Sequence, residues 1–206
     1  MITNTLLSKM EVENFNKNNQ LESVIQLNLK TLQLEGRENF EYYSDGKVKR
    51  IKNKGLVRLY KYNDNITNED ITNHGILEYS NIYINNLLIY QYDILNDLLS
   101  IYEYNEDNKP ISIIIKDIET DKIIFKTTAT YKNGNLKERK VYSIDNNNSK
   151  LKCSMKQVYT YKEGFTKEKT ILPKLKSTIV NIISEEGTKI TTCKNHNVIS
   201  EQHIHL

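Results

Sequence analysis

At 206 residues with a net charge of +3 and 38% hydrophobic residues, the chain has the size of one β domain. Seven glycines leave little for phosphate-cradling loops, and two cysteines are too few to frame a disulfide scaffold. Ala129 is the sole alanine and there is no tryptophan, while isoleucine and tyrosine abound, which argues against helices and for strands.

Residues 1–36 read as an opening pair of strands. Met10-Glu11-Val12-Glu13 alternates, Asn16-Lys17-Asn18-Asn19 turns, and Ile25-Gln26-Leu27-Asn28-Leu29 alternates again. Leu29, Leu32 and Leu34 also suit a short helix. Phe40-Glu41-Tyr42-Tyr43 enters the pair Asp45-Gly46 and leaves through Lys47-Val48-Lys49, a strong hairpin signal because glycine accepts the positive φ of a tight turn. Residues 56–62 form a further run. Residues 63–75 lack apolar periodicity and read as a polar loop with one helical turn near Asn68-Glu69-Asp70, a possible internal break in a single domain spanning 1–206.

From 76 to 165, apolar and tyrosine runs alternate with turns near Asn85-Asn86, Asn96-Asp97, Asp107-Asn108, Thr120-Asp121, Asn133-Gly134 and Asn146-Asn147. Their spacing of roughly 11 to 14 residues is the rhythm of an antiparallel meander. Runs end in Tyr90-Gln91-Tyr92, Tyr102-Glu103-Tyr104 and Tyr159-Thr160-Tyr161, each placing two rings on one side of a sheet. Leu151, Cys153, Met155, Gln157, Tyr159 and Tyr161 are expected on one face, with the intervening lysines on the other. Pro173 fits a strand end, Glu185-Glu186-Gly187 a turn, and the tail a last alternation. The expected fold is all-β: an open or curled antiparallel β-meander built from hairpin repeats.

Tyr42-Tyr43-Ser44-Asp45-Gly46-Lys47-Val48-Lys49 resembles the unit of MORN-like repeats, and Tyr131-Lys132-Asn133-Gly134-Asn135-Leu136-Lys137 resembles it again. Tyr102-Glu103-Tyr104-Asn105-Glu106-Asp107-Asn108-Lys109-Pro110-Ile111 resembles a YD (Rhs-type) repeat, with Asn108 where glycine is usual. Asparagine tolerates the left-handed region best after glycine. The resemblance covers about half the chain. It implies a repetitive sheet without catalytic machinery, as in antitoxin or immunity partners of bacterial polymorphic toxins.

Charge is segregated. Residues 37–60 carry +4, residues 61–121 carry −9 and residues 122–176 carry +10. Blocks of this kind steer association rather than set the fold. The acidic block therefore points to docking of a basic protein partner, and the repeat resemblance implies that this partner is of the toxin-like effector class. Its anchors are Tyr90, Tyr92, Tyr102 and Tyr104, and its carboxylates Asp93, Asp97, Glu103, Glu106 and Asp107. With Asp117, Glu119 and Asp121, these acids are expected to line one ridge. The alternatives are a single-stranded nucleic-acid binder using Lys137, Arg139, Lys140, Lys150, Lys152 and Lys156, or a phage-encoded anti-defence or structural protein.

No hydrolase, nucleotide or zinc-protease motif is present, so no enzyme activity and no cofactor are expected. The metal-ligand candidates are Cys193, His196, His203 and His205, in a spacing that fits no standard zinc signature. Met1 begins no basic or apolar leader, and runs such as Leu87-Leu88-Ile89-Tyr90 and Ile113-Ile114-Ile115 are far too short to span a bilayer. A cytoplasmic protein with two reduced thiols is the expectation.

Overall fold

The computed structural model describes residues 9–28, 30–31, 33–144, 150–185, 187–195 and 197–205, with His205 for its backbone alone. Among these, every regular element is a β-strand except one 3-10 turn at Pro173–Leu175. The contacts divide the chain into two compact units, Met1–Asn96 and Asp97–Leu206.

The first unit holds β1 (Lys9–Phe15), β2 (Leu21–Asn28), β3 (Gln33–Tyr42), β4 (Val48–Asn53), β5 (Leu56–Asn63), β6 (Ile66–Asn73), β7 (Ile76–Ile84) and β8 (Leu87–Asp93). The second holds β9 (Leu98–Tyr104), β10 (Pro110–Asp117), β11 (Ile123–Lys132), β12 (Asn135–Ile144), β13 (Leu151–Lys162), β14 (Phe165–Leu172), β15 (Ser177–Ser184), β16 (Gly187–Lys194) and β17 (Asn197–His205). Within each unit every strand pairs antiparallel with the next. Among the described residues the first and last strands of each unit do not pair with one another, so each is an open meander.

The turns are set by residues that accept a left-handed backbone. Asn19, Gly46 and Asn108, with φ of 58°, 85° and 59°, occupy the same place in three five-residue loops, so Asn108 stands in for glycine as its residue type allows. Asn16 and Asn105 open two of these loops, and each side-chain carbonyl accepts a hydrogen bond from the backbone four residues on, at 3.0 and 2.8 Å. Asp64 and His74, with φ of 51° and 49°, make the turns at either end of β6. The polar stretch 63–75 is therefore a strand between two tight turns, not a loop, and no helical turn forms at Asn68-Glu69-Asp70. The alternation expected along 151–161 is broken by a bulge. Met155 pairs with Val141 but Cys153 pairs with Tyr142, so Ser154 is the extra residue and Lys152 joins the Met155 face. The turn expected at Asn146-Asn147 and the helical alternative through Leu29 and Leu32 lie outside the described residues.

In a meander every second loop lies at the same edge, and here those loops are tied together. The backbone amides of His74, Asn85, Ile118 and Asn195 donate to the carbonyls of Gly55, Asn65, Asp97 and Lys176 in the preceding same-edge loop, at 2.8–3.0 Å. Tyrosines add a second set of ties. Tyr42 donates to the Leu21 carbonyl, Tyr62 to Val48 and Tyr131 to Pro110, at 2.8, 2.9 and 3.0 Å. Each ring closes one strand and reaches the first residue of the strand before it, so its hydroxyl satisfies a carbonyl at a loop. Asn16, Asn19, Leu21 and Tyr42 recur as Asn105, Asn108, Pro110 and Tyr131 at one constant sequence offset, one set in each unit.

The interior is unlike that of a sandwich or barrel. Val141 is the one buried hydrophobic among the described residues, whereas Ser23, Glu69, Asn81, Ser112 and Thr127 are buried and polar. A sheet one layer thick half-covers its side chains with their cross-strand neighbours but gives neither face a core.

Candidate functional site

The first unit contains a buried carboxylate. Tyr60, Glu69, Asn81 and Gln91 form one cross-strand row, and alternation adds Tyr83 to the same face. Glu69 is 5% exposed and accepts hydrogen bonds from Tyr60 and Tyr83 hydroxyls at 2.8 Å and from Asn81 Nδ2 at 2.9 Å. Burial opposes its ionisation, but the three donors and the Arg58 charge outweigh it and hold the carboxyl below its ordinary range. In turn, burial and the bond to Glu69 push the Tyr60 hydroxyl up to about 12 and Tyr83 upward as well. A carboxylate so saturated has little left to offer a substrate. It locks β5, β6 and β7 together, and the sequence reading did not single it out.

The acidic hairpins are placed as follows. In the first unit Tyr90 and Tyr92 lie on one face of β8 and Asp93 on the other, where Asp93 caps its own turn by accepting from the Asn96 amide and side chain at 3.1 and 2.9 Å. In the second unit Tyr102 pairs with Ile113 and Glu103 with Ser112, so Tyr102 and Tyr104 share one face while Glu103 is exposed on the other. Burial raises the Tyr104 hydroxyl pKa, with the neighbouring Tyr102 adding to it.

Glu106 and Asp107 sit in the β9–β10 loop, exposed, at one edge of the second unit. Asp97, Asp117, Glu119 and Asp121 gather at the opposite edge, where the Ile118 amide reaches the Asp97 carbonyl at 2.8 Å. The expected single ridge is thus two acidic patches within this unit, because consecutive loops of a meander alternate edges. Asp117 accepts from the Thr120 hydroxyl and amide at 2.6 and 2.7 Å, which lowers its pKa, while Lys116 pairs with Asp121 at 2.9 Å.

The basic residues of the second unit divide between faces. Lys140 pairs directly with Lys156, and the rows beside them bring Lys167, Lys169 and Lys189 to the same face. Glu138 bridges the first two at 2.8 and 2.6 Å, and their hydrogen bonds bring its carboxyl down to about 2. Arg139 lies on the other face, in a row with Ala129 and Gln157. Lys137 is the extra residue of a bulge, and Lys150 and Lys152 are exposed near the start of β13.

The two metal candidates whose side chains are described, Cys193 and His203, are not brought together. Cys193 pairs with Val198 and His203 with Lys189, so five residues of extended strand, about 16 Å, separate them. His196 and the His205 side chain lie outside the described residues. Both thiols are free, and among the described residues no group of three or more potential ligands forms. Nor is any described helix long and apolar enough to cross a membrane, which leaves strand-built spans untouched.

No protein-family model and no curated protein matches the sequence. In fold, 93% of the chain is similar to part of a chain in the crystal structure of TcdB2-TccC3-Cdc42, with a TM-score of 0.52 and 12% identity. A second similarity, to TcdB2-TccC3 without its hypervariable C-terminal region, covers 96% of the chain with a TM-score of 0.41 and 9% identity. The chain spans only 12% and 14% of those chains. The likeness is one of fold.

Proposed function

We propose that this chain is a non-catalytic, cytoplasmic protein-binding sheet that captures a basic polypeptide, in the manner of a bacterial immunity or antitoxin protein occluding a toxin-like effector. The observation that carries the reading is the bare sheet. A meander with one buried hydrophobic among its described residues, and large apolar strand side chains such as Leu59, Ile183 and Ile204 exposed, has faces that another molecule must cover to become dry. Likeness in fold to a segment of a toxin-complex structure agrees with a partner that is itself a polypeptide.

The acidic patches supply the sign of that partner. In the second unit Asp97, Glu119 and Asp121 at one edge, and Glu106 and Asp107 at the other, are exposed. Carboxylates so placed accelerate encounter with a cationic surface and reject anionic ones. Tyr102 and Tyr104 stand beside the second patch as rigid aromatic anchors. Where a cationic toxin domain is encoded beside this gene, co-expression with it tests the reading. Growth protected by the wild type and lost with Glu106→Lys plus Asp107→Lys supports it. Protection by neither chain contradicts it.

A further inference from the structure

We propose that the second unit carries a binding site for single-stranded nucleic acid on its tyrosine face, at the end of the β11–β12 hairpin. This goes beyond the protein-capture reading and uses none of the acidic residues on which that reading stands. Tyr159 and Tyr161, two apart on β13, present their rings on one side with centroids 6.5 Å apart and planes 15° from parallel. The two near-parallel rings form one aromatic flank on which a planar group can stack. They line a cavity of about 430 Å³ together with Lys132, Asn133, Asn135 and Lys137. A nucleobase is the planar group this arrangement fits. Two ammoniums beside it suit the flanking phosphates, and the two asparagine amides offer donors and acceptors to base edges.

A second cavity, of about 250 Å³, extends the same face between β10 and β12. It is lined by Thr127, Ala129, Tyr131, Leu136 and Arg139 among others. Thr127 is 5% exposed, and its hydroxyl has no hydrogen-bond partner in the protein. An unpartnered buried hydroxyl beside a guanidinium is arranged for an incoming polar group such as a phosphate or sugar oxygen. Glu168, opposite Tyr159, is the adverse charge on the strand face and is occupied by Gln157 Nε2 at 2.7 Å and the Thr170 hydroxyl at 3.1 Å. Glu106, Asp107 and Glu163 stand exposed in loops at the same edge and set the upper limit on phosphate affinity there. The lysine face carries more cations but fits the ligand less well. Its central pair is already bridged by Glu138, and among the described residues no ring pair is found beside its lysines.

The test is the binding of a short fluorescein-labelled oligothymidylate to the full chain, followed by anisotropy at low and high salt, with polyglutamate as competitor. Wild type should bind, more weakly as salt rises. Tyr161→Leu, at a ring 45% exposed and so tolerated by the fold, should weaken binding about tenfold, with Tyr159→Leu behaving alike. Lys132→Glu with Lys137→Glu should weaken it further and flatten the salt dependence, while Lys167→Glu with Lys169→Glu on the other face should change little. Absence of binding overturns the proposal. So does binding that the tyrosine variants leave intact, which is charge adhesion. Displacement by polyglutamate at equal charge overturns it too, since the site would then be for acidic polypeptide.

Discussion

Glu69 carries the clearest consequence of any single residue. Its folded carboxyl titrates below the unfolded one, so its contribution to stability is fully present above the ordinary carboxylate pKa and is lost as pH falls through the depressed folded value. Glu69→Gln removes that dependence and leaves two tyrosine hydroxyls competing for a single amide oxygen. Urea unfolding at pH 7 should show the variant less stable by about 2 kcal/mol, a gap that narrows towards pH 3. A gap that stays constant with pH would show that the carboxylate is not what Tyr60, Asn81 and Tyr83 hold. Nothing in the sequence marks Glu69 for this role. An acid inside Asn68-Glu69-Asp70 has the look of a loop, because a strand whose inward position is a carboxylate shows no apolar period.

Among the elements, the recurring device is the tie between same-edge loops. Tyr42→Phe and Tyr131→Phe keep the rings but strand the Leu21 and Pro110 carbonyls, and each should cost about 1 kcal/mol in urea unfolding. Amide exchange should quicken at the hairpins they tie, around Leu21 and Pro110, and not at β15 or β16. Uniform quickening would mean that the ties do not act locally.

The hairpins themselves were legible: Asp45-Gly46, Asn85-Asn86, Asp107-Asn108 and Asn133-Gly134 each announce a left-handed turn through residues that tolerate one. Alternation was legible where the ladder is regular, as where Met10 and Val12 of β1 pair with Leu27 and Ile25 of β2. It failed at β13, since a bulge at Ser154 shifts the face of all that precedes it and leaves no signature in residue type. The single acidic ridge failed for a topological reason. Residues near in sequence, such as Asp107 and Asp117, occupy opposite ends of one strand.

For the molecule as a whole, charge decides what each surface meets. Residues 61–121 carry −9 and residues 122–176 carry +10, so one chain presents fields of both signs. Screening weakens exposed charges over about 8 Å at physiological salt, so each patch acts on the part of a partner that docks beside it. Capture of a basic polypeptide through the acidic hairpins is the central claim, and association kinetics test it most directly. The measurement is the association rate of the purified chain with a purified cationic toxin-like domain, across a series of salt concentrations. Glu106→Lys with Asp107→Lys should slow association by about tenfold at low salt and flatten its salt dependence, with Lys137→Glu neutral or mildly accelerating. Association unchanged by the acidic reversals but abolished by Lys137→Glu would contradict it.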